Sequence, residues 1–148
     1  MLTLPHDFKE LLKLFIDQKV RFLIVGGYAV TYHGHPRFTG DLYLWVERSN
    51  ENAENIVTAL KLFGFEAPNL SPRLFTDHDV ITRMGVEPMK VEIFTHIPGL
   101  IFNQSYPQRE ELKLDEVGSI PFISREDLKI SKKTSGRLQD LADLEKLK

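Results

Sequence analysis

The sequence of 148 residues contains no cysteine. Disulfides, iron–sulfur clusters, cysteine-based zinc sites and a cysteine nucleophile are thereby excluded. Nor is there an excess of either charge. The 19 lysines and arginines stand against 21 aspartates and glutamates, a net charge of −2 with histidines neutral. That balance supplies no broad electrostatic footprint for nucleic acid, although a local basic patch stays open. Long apolar runs are missing too. Stretches such as Phe22–Val25 fall far short of the ~20 residues that a membrane span needs. The opening Met1-Leu-Thr-Leu-Pro-His-Asp7 has no basic region followed by an apolar one, so no secretory signal and no membrane role are expected. A soluble cytoplasmic protein is the default. Internal repeats, low-complexity segments and clear linkers are likewise lacking.

What is present is an ordinary globular composition, 42% hydrophobic and 27% charged. Such a chain can bury a core, and disorder is excluded as a description of the whole. The length suits one domain over 1–148, closed by C-terminal helices over 124–148. Phe8 to Ile16 has helical apolar spacing, with Pro5 and Asp7 suited to the first turn. Phe22-Leu-Ile-Val25 predicts a buried strand ending at Gly26-Gly27, followed by a short helix over Tyr28 to His33. Asp41 to Glu47 reads as a second strand, and Asn50 to Phe63 as a helix stopped by Gly64. Strands are expected around Val80–Thr82 and over Met89–Thr95, with two more near Lys113 and Ile120 and a turn at Gly118. Ser124 reads as a helix cap, and Leu138, Leu141, Leu144 and Leu147 recur every third residue of a last helix. The element order predicts an α+β fold, a mixed sheet covered by helices.

Several groups could carry chemistry. Gly26-Gly27 between a strand and a helix lets a phosphate approach the backbone, yet a plain tight turn needs the same residues. Asp41 opens a strand on which residues i and i+2 share a face, so an Asp-x-Asp would aim two carboxylates at one point and hold divalent metal. Here the second position is Tyr43, a neutral phenol and a poor ligand for a hard cation. Glu92 interrupts an apolar strand. It is either a solvated edge residue or, if its strand adjoins that of Asp41, a partner carboxylate. Lys129, Lys132, Lys133 and Arg137 could line one helical stripe and neutralise phosphate, or merely form a solvated face with Asp140 and Asp143. His33-x-His35 lacks a third ligand at zinc-like spacing, and the histidines are read as surface or supporting residues.

Taken together, the run Phe22-Leu-Ile-Val-Gly-Gly-Tyr-Ala-Val-Thr-Tyr-His-Gly-His-Pro-Arg-Phe-Thr-Gly-Asp-Leu-Tyr-Leu-Trp-Val46 resembles the opening motif of the nucleotidyltransferase superfamily. The segment Gly85–Thr95 resembles its third-carboxylate strand, and Phe122–Leu144 its tail. The likeness is greatest to small bacterial nucleotidyltransferase-like proteins, a group that includes toxins of abortive-infection toxin–antitoxin pairs. It implies a polymerase-β-like fold and Mg²⁺-dependent (or Mn²⁺-dependent) transfer of a nucleoside monophosphate from an NTP to a hydroxyl of RNA, protein or a small molecule. An antitoxin-like protein partner is implied as well. Gly26 and Gly27 would contact the phosphates. Asp41 and Glu92 would be the catalytic and metal-binding carboxylates, with Arg37 and Thr39 shaping the loop and Lys132 and Arg137 neutralising phosphate.

Tyr43 departs from that pattern by occupying the expected second aspartate, which removes one negative charge from a site meant for two dications. Three outcomes are open: a degenerate member that binds nucleotide or a partner, weak one-metal activity, or replacement of the ligand by Asp77 or Asp79.

Overall fold

A computed structural model describes residues 2–35, 40–77, 81–85 and 90–148. Its elements run α1 (His6–Asp17), β1 (Phe22–Val25), α2 (Gly27–Tyr32), β2 (Leu42–Val46), α3 (Asn50–Phe63), β3 (Ile81–Met84), β4 (Val91–Phe94), a single-turn α4 (Phe102–Ser105), β5 (Glu110–Leu114), β6 (Gly118–Phe122), α5 (Arg125–Ser135) and α6 (Leu138–Leu147). Short 3₁₀ turns cover Pro72–Phe75 and Tyr106–Gln108. The strands form one mixed sheet in the order β3-β4-β2-β1-β6-β5. β1 is antiparallel to β2 and parallel to β6, while β2 is parallel to β4. The outer strands β3 and β5 run antiparallel to their neighbours.

Local chemistry accounts for most of these boundaries. α3 starts where the Ser49 hydroxyl accepts from the Asn52 amide, and it ends at Gly64, whose φ of 100° is the left-handed cap that glycine adopts without strain. β1 is apolar at every position because both of its faces are buried. The amphipathic α1 turns Phe8, Leu11, Leu12 and Phe15 inward, and the rings of Phe15 and Phe22 meet edge to face at 5.5 Å. α1 packs on α3 and β6 over that side of the sheet. Because side chains alternate along a strand, Leu23, Val25, Tyr43 and Trp45 point to the opposite side. There Phe102 of α4 covers Trp45 at 5.2 Å between ring centres. Neither α4 nor the 3₁₀ turns were legible in the sequence, since a single turn shows no periodicity. No described helix is long and apolar enough to cross a membrane.

The C-terminal helices correct two expectations. The leucine spacing of three does not define the packed face of α6. Leu138 is 88% exposed and Leu141 43%, whereas Asp140, Asp143 and Leu147 are buried. Residues three apart drift around a helix, and the stripe that stays on one side is 140, 143 and 147. The basic stripe also breaks. α5 ends at Ser135, Gly136 is its left-handed cap, and Arg137 is the N-cap of α6. Lys133 and Arg137 are therefore not neighbours on one helix.

Candidate functional site

The parallel pairing of β2 with β4 brings together two segments far apart in sequence. The Leu42 amide donates to the Lys90 carbonyl at 2.9 Å, and the register sets Tyr43 opposite Glu92. Alternation then puts Asp41, Tyr43, Lys90 and Glu92 on one face. Arg83 of β3 stands opposite Glu92 from the other side. Glu92 is only 7% exposed, which rules out a solvated edge position. Asp41 and Glu92, the two carboxylates expected at the site, thus share a face of adjacent strands.

Tyr43 fills the space between them. Its hydroxyl donates to Asp41 Oδ2 at 3.4 Å, and its ring meets Phe94 edge to face at 5.6 Å. Burial pushes the Tyr43 phenol above its ordinary value, the charges of Glu92 and Asp41 push it further, and so does a hydrogen bond to Glu92; Arg137 opposes them. The phenol is neutral at physiological pH and acts as a donor to the carboxylates. Each carboxylate also faces a resident cation. Arg83 Nε donates to Glu92 Oε1 at 2.8 Å, and Lys90 Nζ lies 3.9 Å from Asp41 Oδ2. A second phenol, Tyr28 of α2, is raised by burial and then by the charge of Asp41. Arg83, Lys90 and Tyr28 were not identified from sequence. A basic or phenolic residue carries no local sign of the distant carboxylate it will meet.

Gly26 sits at the end of β1 with φ 73° and ψ −150°, a conformation that side-chain-bearing residues rarely adopt. A β-carbon built there would lie 2.4 Å from Tyr43 Cδ2. The glycine is therefore required twice over, by the backbone turn and by the phenol ring packed on it. The adjoining Gly27 is buried as the first residue of α2. Gly26 and Gly27 thus form the turn between β1 and α2, and the ring of Tyr43 covers Gly26.

A cavity of about 230 Å³ opens between this sheet face and α5, with Gly26, Tyr43, Ile81, Phe94, Lys132 and Arg137 in its lining. Lys132 is 5% exposed and is held by Asp140 at 2.9 Å and Asp143 at 3.0 Å. Arg137 Nε bonds Asp140 at 2.7 Å, while its side chain is 72% exposed. The hydrogen bond and the charge of Asp140 raise the Arg137 guanidinium, and the charge of Glu92 adds to it. Burial alone would raise Asp140. Hydrogen bonds from Arg137, Ser135 and Lys132 outweigh it and lower the carboxyl from 3.8 to about 2. Lys132 thus joins α5 to α6, and Arg137 is the cation more open to a ligand.

Arg37, Thr39 and Asp79 lie outside the described residues. Asp77 is exposed, and its main-chain carbonyl accepts from Thr95 Oγ1. His33 is engaged by the Ile123 carbonyl at 2.8 Å, a supporting role. Among the described residues, the one group of three His, Asp or Glu side chains with converging donor atoms is His6, Asp7 and Glu10, exposed on the first turn of α1. A two-metal site needs several oxygen ligands whose charge offsets two dications. Asp41, Glu92 and a neutral phenol, with Lys90 and Arg83 already beside the carboxylates, do not fit that requirement.

Two stability measurements follow from this geometry. Gly26→Ala should cost about 2 kcal/mol or more in urea unfolding, from backbone strain and overpacking. Part of that cost, about 1 kcal/mol, should vanish in a Tyr43→Ala background, because the ring is then gone and only the φ strain remains. Strictly additive effects would contradict the contact. Asp140 has a depressed folded-state pKa, so its contribution is present above about pH 4 and is lost as pH falls toward 2. Wild type should lose up to about 2 kcal/mol relative to Asp140→Asn across that window. A pH-independent difference would contradict the assignment.

No family model and no curated protein matches the sequence. Solved structures do. A proposed nucleotidyltransferase from Thermotoga maritima superposes with a TM-score of 0.63 at 16% identity, covering 94% of this chain and 88% of that one. An antigenic nucleotidyltransferase-like protein from Paracoccidioides brasiliensis superposes with a TM-score of 0.57 at 19% identity, covering 94% of this chain and 72% of the other. The mixed sheet with its flanking helices is accompanied by likeness to both structures over nearly the whole chain: its fold is the α+β fold seen in these two nucleotidyltransferase-like structures.

Proposed function

We propose that this chain is a nucleotide-binding protein of the nucleotidyltransferase fold in which metal-dependent transfer chemistry is lost or much reduced. The observation that carries this reading is the place of Tyr43. Its ring covers Gly26 and its hydroxyl donates to Asp41, at the sequence position where the resembled motif has its second aspartate. Arg83 and Lys90 supply the positive charge that divalent ions would otherwise bring to Glu92 and Asp41. The cavity beside Tyr43 retains features suited to a nucleotide. Phe94 and Ile81 offer apolar surface to a base, and Arg137 offers a guanidinium to phosphate.

A second reading is favoured by one feature, the shared face of Asp41 and Glu92 on paired strands. Transfer of a nucleoside monophosphate implies an NTP donor and a divalent cation in general, with a hydroxyl acceptor. In that reading both carboxylates serve the metal, and Arg83 and Lys90 must yield to it.

Calorimetry and a transfer assay separate the two. The intact chain, titrated with nucleotides in EDTA, should bind without added metal. Labelled NTPs with Mg²⁺ or Mn²⁺ and tRNA or protein acceptors should show transfer only at background. Tyr43→Asp should gain metal-dependent nucleotide binding, because it restores the second carboxylate. Transfer by the wild type that disappears in Asp41→Asn would establish the second reading instead.

A further inference from the structure

Resting on the nucleotide-binding reading, we infer that the cavity takes a nucleoside or a nucleoside monophosphate in preference to a triphosphate, and does so without metal. Three independent observations converge on this.

The first is steric. A polyphosphate that ran along the turn after β1 would have to lie on Gly26, and that surface carries the Tyr43 ring. The ring is so close that even a methyl group on Gly26 would collide with it at 2.4 Å. Phe94 backs the ring at 5.6 Å, which opposes its swinging aside. α2, which follows the turn, spans only Gly27–Tyr32, too short for its dipole to hold further phosphates.

The second is electrostatic. Each additional phosphate brings negative charge that something must offset. Divalent metal does not fit the donor set, and the resident cations already face carboxylates: Arg83 faces Glu92, Lys90 faces Asp41, and Lys132 faces Asp140 and Asp143. Lys132 and Arg137 line the cavity, and Lys132 is buried between its two carboxylates. Arg137 meets Asp140 through Nε and leaves a side chain 72% exposed there, enough to clamp one phosphate group, whereas Arg83, held through Nε in the same way and 63% exposed, faces Glu92 from the outer strand.

The third is size. The cavity of about 230 Å³ is smaller than the ~300–1,000 Å³ typical of drug-sized ligand sites. It suits a base and sugar with one phosphate at the open side. Its apolar wall of Ile81, Phe94, Ile97 and Pro98 is where the base would lie.

The test is calorimetry of the intact chain with the four common ribonucleosides and their mono-, di- and triphosphates, first in EDTA and then in Mg²⁺. For the base that binds, affinity should fall by about tenfold or more from monophosphate to triphosphate in EDTA, and Mg²⁺ should not restore it. Tyr43→Ala should narrow that gap by uncovering Gly26. Tyr43→Phe, which keeps the ring and removes only the hydroxyl, should preserve it. A triphosphate that binds as tightly as the monophosphate, in either buffer, would overturn the inference while leaving nucleotide binding intact. A gap unchanged in Tyr43→Ala would overturn the steric cause. Binding of none of these compounds would overturn the nucleotide-binding reading on which the inference rests.

Discussion

The seat of Tyr43 against Gly26 is the contact on which the rest of the site depends. The register of β2 with β4 places the phenol opposite Glu92, and alternation places Asp41 two residues before it on the same face. The end of β1 must then pass beneath the ring in a conformation that only glycine tolerates, with no β-carbon in the way. A one-residue slip in the β2–β4 register would send Tyr43 to the other side of the sheet and undo the whole arrangement. The seat is therefore set by sheet topology, and the chemistry inherits it.

Charge follows from the same geometry. Buried carboxylates need counter-charge, and in this protein side chains supply it. Arg83 serves Glu92, and Lys132 bridges Asp140 and Asp143. Pairs of this kind add little net stability, because desolvation offsets most of the Coulombic gain. Removing one partner is another matter and typically costs ~3–5 kcal/mol, since a lone charge is left in the interior. Their effect is thus to fix geometry. The Lys132 bridge sets α6 against α5 and, through Asp140, holds Arg137 at the cavity. On the proposed reading, the guanidinium and ammonium groups beside Glu92 and Asp41 supply the charge that metal would otherwise bring, which changes what the site can bind.

Much of this was legible in the sequence, and the rest was hidden for physical reasons. The elements were readable wherever local signals dominate, as in α3 between Ser49 and Gly64 or the apolar β1. Asp41 and Glu92 were identifiable as residues, but their shared face depends on strand pairing, a long-range property that periodicity cannot reveal. The same holds for Arg83 and Lys90. Lys132 and Arg137 looked like one basic stripe until Gly136 separated their helices. The leucine repeat of α6 misled because spacing alone does not say which side of a helix meets its neighbour. Buried Asp140 and Asp143 do, yet a carboxylate turned inward is uncommon enough to be read as surface. Tyr43 was recognisable as a departure from a metal-binding pattern. That its ring would also close over Gly26 was visible only in three dimensions.

The central claim, that Tyr43 and the resident cations stand in place of metal, is tested most directly by electron paramagnetic resonance of Mn²⁺ titrated into the intact protein. The account predicts that the free-ion signal persists at equimolar Mn²⁺, with no bound fraction that depends on Asp41 or Glu92. Stoichiometric loss of the free signal in the wild type, reversed by Asp41→Asn and by Glu92→Gln, would contradict it.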